Sequence, residues 1–154
     1  MNMIQRRAVI ALASLCIAGV AMAEERGTKD EAKAMADAAF EHIKKVGPEK
    51  AYKDFTTDKA KWTKKDLYVF VFDMKGNMLA HGANDKLVGK NMIEMRDAKG
   101  LSGPAEMAKI AKGPGSGWYD YDTENPMTKK IAAKSTYVRN LPGADAYVGV
   151  GIYR

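Results

Sequence analysis

The sequence predicts an α+β domain in which a long N-terminal helix packs on a central antiparallel sheet of about five strands. Three observations carry this. A capping box opens an amphipathic stretch at Thr28. A β-branched and aromatic run occupies Leu67 to Phe72. Three further strand-like segments follow Gly117 and run to the end of the chain.

The elements follow in order. Thr28 and Glu31 stand in the N-cap and N3 positions of a capping box. Ala32, Met35, Ala36, Ala39, Ile43 and Val46 then recur at helical spacing on one face. Gly47-Pro48 ends this helix, and Pro48 opens a short second one with Ala51, Tyr52 and Phe55 inside. Residues 57 to 66 are polar and lysine-rich and read as a loop. Leu67 to Phe72 is apolar on both faces, which predicts a central strand covered on both sides. Asp73 to Asn77 is a turn, and Met78 to His81 returns as a second strand. Gly82 to Lys99 is irregular, and Leu101 to Lys112 reads as a short helix closed by Gly113-Pro114-Gly115. Trp118 to Tyr121, Lys130 to Arg139 and Ala146 to Tyr153 supply the last three strands, with Pro142-Gly143 turning between the final two.

The first 23 residues stand apart. Arg6-Arg7 precedes an apolar run from Ala8 to Val20, and Ala21-Met22-Ala23 offers small residues for cleavage. That is the pattern of a secretory signal peptide, which leaves one domain over residues 24 to 154. The alternative is an uncleaved membrane anchor. Leu15 before Cys16 argues against lipid attachment. The remaining 131 residues hold no cysteine, so an exported domain relies on its core for stability. Of the net charge of +6, two come from Arg6 and Arg7, and acids and lysines are mixed through the rest. No arginine stripe points to nucleic acid.

Enzymatic chemistry finds little support. His42 and His81 fall on separate elements, so no paired-histidine metal motif exists. There is no nucleophile elbow, Walker loop or haem-attachment motif. Gly113 to Gly117 is glycine-rich but lacks the lysine and the strand–helix setting of a phosphate loop. The ten methionines raise Cu(I) as a ligand, but methionine as an adaptable core filler is the stronger reading. No cofactor and no metal site are expected.

Leu67 to Asp73, Gly76, His81-Gly82, Leu87 to Asn91, Asp97 and Gly100 follow one another in a set order. Gly117 to Tyr121, Asn125-Pro126, Lys134 to Val138 and Gly149 to Tyr153 continue it. Together they resemble the single Cache domain, a PAS-like sensor module found outside bacterial membranes. The resemblance covers about residues 30 to 153. It implies a ligand pocket on one face of the sheet, a small organic acid or amino acid as ligand, and a receptor or sensor kinase as the usual setting. Because the chain ends at Tyr153-Arg154, the expectation is a free-standing periplasmic binding domain with no signalling output of its own. The family often carries a tryptophan where this chain has Thr123.

Carboxylate recognition favours a cation with hydroxyl or amide donors inside an apolar cavity. Tyr121, Lys134 and Tyr137 fall on neighbouring predicted strands, and His81 ends another. Phe70 and Trp118 complete the candidate ligand-binding set. Lys134 and Tyr137 are three residues apart, so a regular strand turns only one of them to the pocket. Trp118 alternates away from Tyr121 and fits the core as well as the site. The competing reading is a ligand-free interaction protein that docks to a membrane receptor or self-associates through Met35, Ala39 and Ile43 of the first helix.

Overall fold

The computed structural model describes residues 25–154, and the expected signal peptide lies outside them. Helix α1 spans Lys29–Val46. The Thr28 hydroxyl accepts the Glu31 N–H, and the Glu31 carboxylate accepts the Thr28 N–H, as the capping box requires. Helix α2 (Pro48–Thr57) starts on Pro48 after Gly47 takes up a positive φ of 86°. Helix α3 (Lys59–Trp62) and the two-residue strand β1 (Thr63–Lys64) occupy the segment expected to be a loop. The reason is Trp62, which is buried and packs edge-on against Phe55 at 4.7 Å.

Strands β2 (Leu67–Asp73), β3 (Met78–His81), β4 (Ser116–Glu124), β5 (Ile131–Leu141) and β6 (Ala146–Tyr153) complete the sheet. Helix α4 (Gly103–Lys112) precedes β4. The sheet has six strands in the order β1-β2-β6-β5-β4, with β3 also on β2, and every pairing is antiparallel. β1 and β3 thus share one edge of β2, and β6 takes the other. The addition of β1 raises the expected five strands to six. β4 runs longer than its sequence pattern because it pairs with β5 from Ser116 through Glu124.

Strand alternation divides the buried residues into two layers. One face of the sheet meets α1 and α2. Val69, Val71, Val148 and Val150 pack there against Ala32, Ala36, Ala39, Ile43 and Phe55. The alanines let α1 lie close to the strands. Ala39 and Ile43 are therefore used up inside the domain and form no free seam, and Met35 packs on the same cluster. Arg139 of β5 clamps the helix from the side, bonding Asp37 at 2.6 Å and lying 3.7 Å from the Phe40 ring centre.

The other face carries Tyr68, Phe70, Phe72, Val138, Tyr147 and Tyr153. Its cover is α4, pinned where the Tyr147 hydroxyl donates to the Pro104 carbonyl at 3.0 Å. Gly149 of β6 lies beneath the Phe70 ring, so a Cβ there would run into the ring carbons. The Gly149→Ala variant is expected to lose about 1–3 kcal/mol by overpacking. A lower urea midpoint with an unchanged slope would show this, and an unchanged midpoint would contradict the close approach.

Candidate ligand-binding site

Between the second face and its cover lies a cavity of about 600 Å³. That is within the usual range for small-molecule sites. Phe70, Phe72, Met78 and Met107 form apolar walls, and Leu87 and Met92 contribute from the segment after β3. This segment includes a 3-10 turn at Asp85–Leu87 and folds back over the sheet. Asn91 ties it down by donating to the Asn77 side chain at 2.8 Å, and the Ser102 hydroxyl donates to the Ile93 carbonyl at 2.7 Å. Arg96 and Lys129 stand on the exposed part of the wall with Asp122 and Glu124.

The polar groups converge through strand register. Lys134 of β5 lies between Tyr121 of β4 and Tyr153 of β6, its direct cross-strand partners. On the adjoining strands, Phe70 pairs with His81. Lys134 is only 2% exposed. Its Nζ donates to the Tyr68 hydroxyl at 2.8 Å. It also sits over the rings of Tyr68, Tyr153 and Phe70, at 4.4, 4.9 and 5.4 Å from their centres. Among the described residues it belongs to no ion pair. Burial pulls its ammonium down to about 7, and the charge of Asp66 pushes back.

His81 is also buried, and its Nδ1 accepts backbone N–H groups from Ala83 at 3.2 Å and Asn84 at 2.8 Å. Two donors on Nδ1 require the proton to sit on Nε2. Burial, with Lys134 and Lys59 nearby, holds this imidazole down to about 3. It is therefore a neutral N–H donor at physiological pH. Tyr121 contributes a hydroxyl 3.3 Å from Thr136 Oγ1, and burial raises its phenol well above the usual range. One cation and two neutral donors against apolar walls suit a ligand with a single anionic end.

Phe70, His81, Tyr121 and Lys134 therefore line one cavity. Trp118 and Tyr137 do not. Both turn to the helix face, where their rings lie 5.4 Å apart under Lys29 and Lys33 of α1. Alternation decides this: β5 sends Lys134 and Thr136 to the cavity face and Tyr137 to the other. Asp120, on the Trp118 side of β4, accepts from the Ser135 hydroxyl at 2.5 Å.

Three residues outside the candidate set shape the surroundings of Lys134. Tyr68 accepts the lysine's hydrogen bond, Tyr153 bonds Tyr68 at 3.0 Å, and Gly151 leaves room for the side chains of Lys134 and Thr136. A Cβ on Gly151 would run into the Lys134 stem and Thr136 Oγ1. The alternation of glycine with valine in β6 carried that signal. Two buried glycines on one face of a strand mark where bulky side chains of neighbours must lie.

Because Lys134 has a folded-state value near 7 and an unfolded value near 10.4, the unfolded chain binds more protons between these limits. Its contribution to stability is thus lowest below pH 7 and rises as pH climbs toward 10. Lys134→Met is expected to flatten the rise between pH 7 and 9.5. It is also expected to stabilise the domain by about 1–4 kcal/mol at pH 7, since it removes an uncompensated buried charge. Parallel urea titrations of both proteins across that range test this, and equal slopes would place Lys134 in water.

The fold agrees with comparisons to known proteins. The chain is 35% identical over 89 residues to the sensor histidine kinase MctS of Rhizobium johnstonii, a match spanning 58% of this chain and 19% of the kinase. It is 27% identical over 88 residues to the methyl-accepting chemotaxis protein McpP of Pseudomonas putida, spanning 57% of this chain and 16% of the receptor. Among solved structures, a methyl-accepting chemotaxis protein of Vibrio parahaemolyticus matches with a TM-score of 0.67 and 26% identity, covering 81% of this chain and 87% of that one. A Cache chemosensory domain described for its carboxylic acid recognition matches with a TM-score of 0.68 and 20% identity, covering 80% of this chain and 91% of that one. The model of the single Cache domain 2 family matches residues 3–154, and the chain belongs to that family of sensor domains.

Proposed function

We propose that this domain binds a small carboxylate outside the cytoplasmic membrane and reports its presence to a membrane sensor, without chemistry of its own. The observation that carries the reading is Lys134, a buried ammonium that faces an apolar cavity and has no carboxylate partner among the described residues. A ligand carboxylate would supply the missing charge, with His81 Nε2–H and the Tyr121 hydroxyl as further donors. The apolar walls suit a short aliphatic remainder. The relatives support a sensory role, since they are a sensor kinase and chemotaxis receptors. The signal expected over residues 1–23 supports export. No described helix is long and apolar enough to cross a membrane.

A thermal-shift screen of short carboxylates, amino acids and amines tests the reading. A ligand bound only by the folded state adds roughly 2.7 kcal/mol of stability at a hundredfold excess over its dissociation constant. We expect carboxylates to raise the melting temperature and amines to leave it unchanged. Lys134→Met is expected to weaken carboxylate binding about 10- to 100-fold at pH 6, from the loss of one charge-assisted bond. Since binding needs the charged lysine, wild-type affinity is expected to fall about tenfold per pH unit above pH 7. An affinity that is level from pH 6 to 9, or unaffected by Lys134→Met, would remove Lys134 from the site.

A further inference from the structure

The hydrogen bonds of Lys134 lead away from the cavity. Nζ donates to the Tyr68 hydroxyl at 2.8 Å, which occupies that oxygen as an acceptor. The Tyr68 hydroxyl is in turn hydrogen-bonded to the Tyr153 hydroxyl, 3.0 Å away. Tyr153 borders a second cleft of about 140 Å³, lined also by Asp66 and Asn125. Such a cleft has room for water to extend the chain. Asp66 is 9% exposed and lies in the turn between β1 and β2. Its Oδ1 accepts the Gly27 N–H at 2.6 Å, and Oδ2 has no protein partner among the described residues.

The groups around Lys134 leave Asp66 as the nearby buried anion. His81 of β3 is neutral. Tyr68 of β2, Tyr121 of β4 and Tyr153 of β6 are pushed up by burial and stay protonated. α4 lines the cavity with Gly103, Pro104 and Met107, which carry no charge. Arg96, Asp97, Asp122, Glu124 and Lys129 stand on the partly or fully exposed wall, where water screens them. Asp66 shares its cleft with both Tyr68 and Tyr153, and while burial is the main cause of the shifts of Lys134, Tyr68 and Tyr153, the charge of Asp66 pushes all three upward. A row of hydroxyls polarised from a cation to an anion strengthens each of its bonds.

We propose that Asp66 is a positioning residue for the ligand site, acting through Tyr153 and Tyr68 to keep the Lys134 ammonium charged and aimed without touching the ligand. Its consequence for binding rests on the carboxylate reading of the cavity. The coupling of Asp66 to Lys134 does not, and it can be measured without ligand.

The test is the titration of Lys134 in the full chain carrying lysine labelled with 13C at Cε. Its resonance is identified by its loss in Lys134→Met. Asp66→Asn keeps an acceptor for the Gly27 N–H and removes only the charge. A unit charge about 10 Å away in a protein interior moves a titration by roughly one pH unit. We expect the Lys134 midpoint to fall by about that much in Asp66→Asn and to return in Asp66→Glu. Tyr153→Phe leaves the Gly27 contact intact and is expected to lower the midpoint too. With propionate as probe, the pH above which affinity declines is expected to move down by the same amount. An unmoved midpoint in Asp66→Asn overturns the proposal. A fall in Asp66→Asn without one in Tyr153→Phe overturns the route through the tyrosines. If wild type binds neither propionate nor any other short carboxylate, yet both variants lower the midpoint, the carboxylate reading fails and the positioning role stands.

Discussion

A lysine ammonium buried beside an apolar-walled cavity, with no carboxylate partner among the described residues, is the constraint around which this domain is organised. An uncompensated buried charge costs several kcal/mol, so a fold that keeps one must hold it firmly. Here the support is aromatic. The rings of Tyr68, Phe70 and Tyr153 surround Nζ with their negative faces, and one phenol oxygen accepts its hydrogen bond. This arrangement leaves the charge solvated enough to fold and short of a full partner.

The remainder of the architecture follows from making space for that group. The glycines of β6 clear the floor, since a Cβ at Gly149 or Gly151 would run into Phe70 or Lys134. α4 and the segment after β3 form a cover whose hydrogen bonds go mostly to its own backbone and to the turn at Asp73 to Asn77. The opposite face of the sheet is the rigid half, where valines meet the alanines of α1. One layer is thus closely packed for stability and the other is hollow. Strand alternation lets a single sheet serve both.

Neutral donors complete the specificity. His81 is fixed as an Nε2–H donor by the two backbone amides on Nδ1, so it adds a hydrogen bond without adding charge. With Lys134, the buried part of the site carries at most one positive charge. A second anionic group on a ligand would meet apolar wall and be disfavoured by desolvation. The placement of Asp66 at the far end of the tyrosine pair extends the electrostatics of the site to the turn that anchors the chain before α1.

The helices, the central strand and the class of fold were legible in the sequence because they rest on local periodicity. Thr28 with Glu31 marks the start of α1, and the unbroken apolar run from Leu67 to Phe72 marks a strand buried on both faces. Residues 57 to 66 were misread because Trp62 makes its contacts with α1 and α2, which no local pattern contains. Lys134, Tyr121, His81 and Phe70 were legible as candidates through chemistry and family order, and strand parity already opposed Lys134 to Tyr137. The side on which each fell was not legible. That required the register of β5 between β4 and β6, set by long-range pairing and by which face α1 covers. The sequence by itself determined the elements and the residue types of the site. Only the tertiary structure decided that Trp118 and Tyr137 belong to the helix layer and that Tyr68 and Tyr153 hold the lysine, because those contacts join residues 66 and 85 positions apart in the chain.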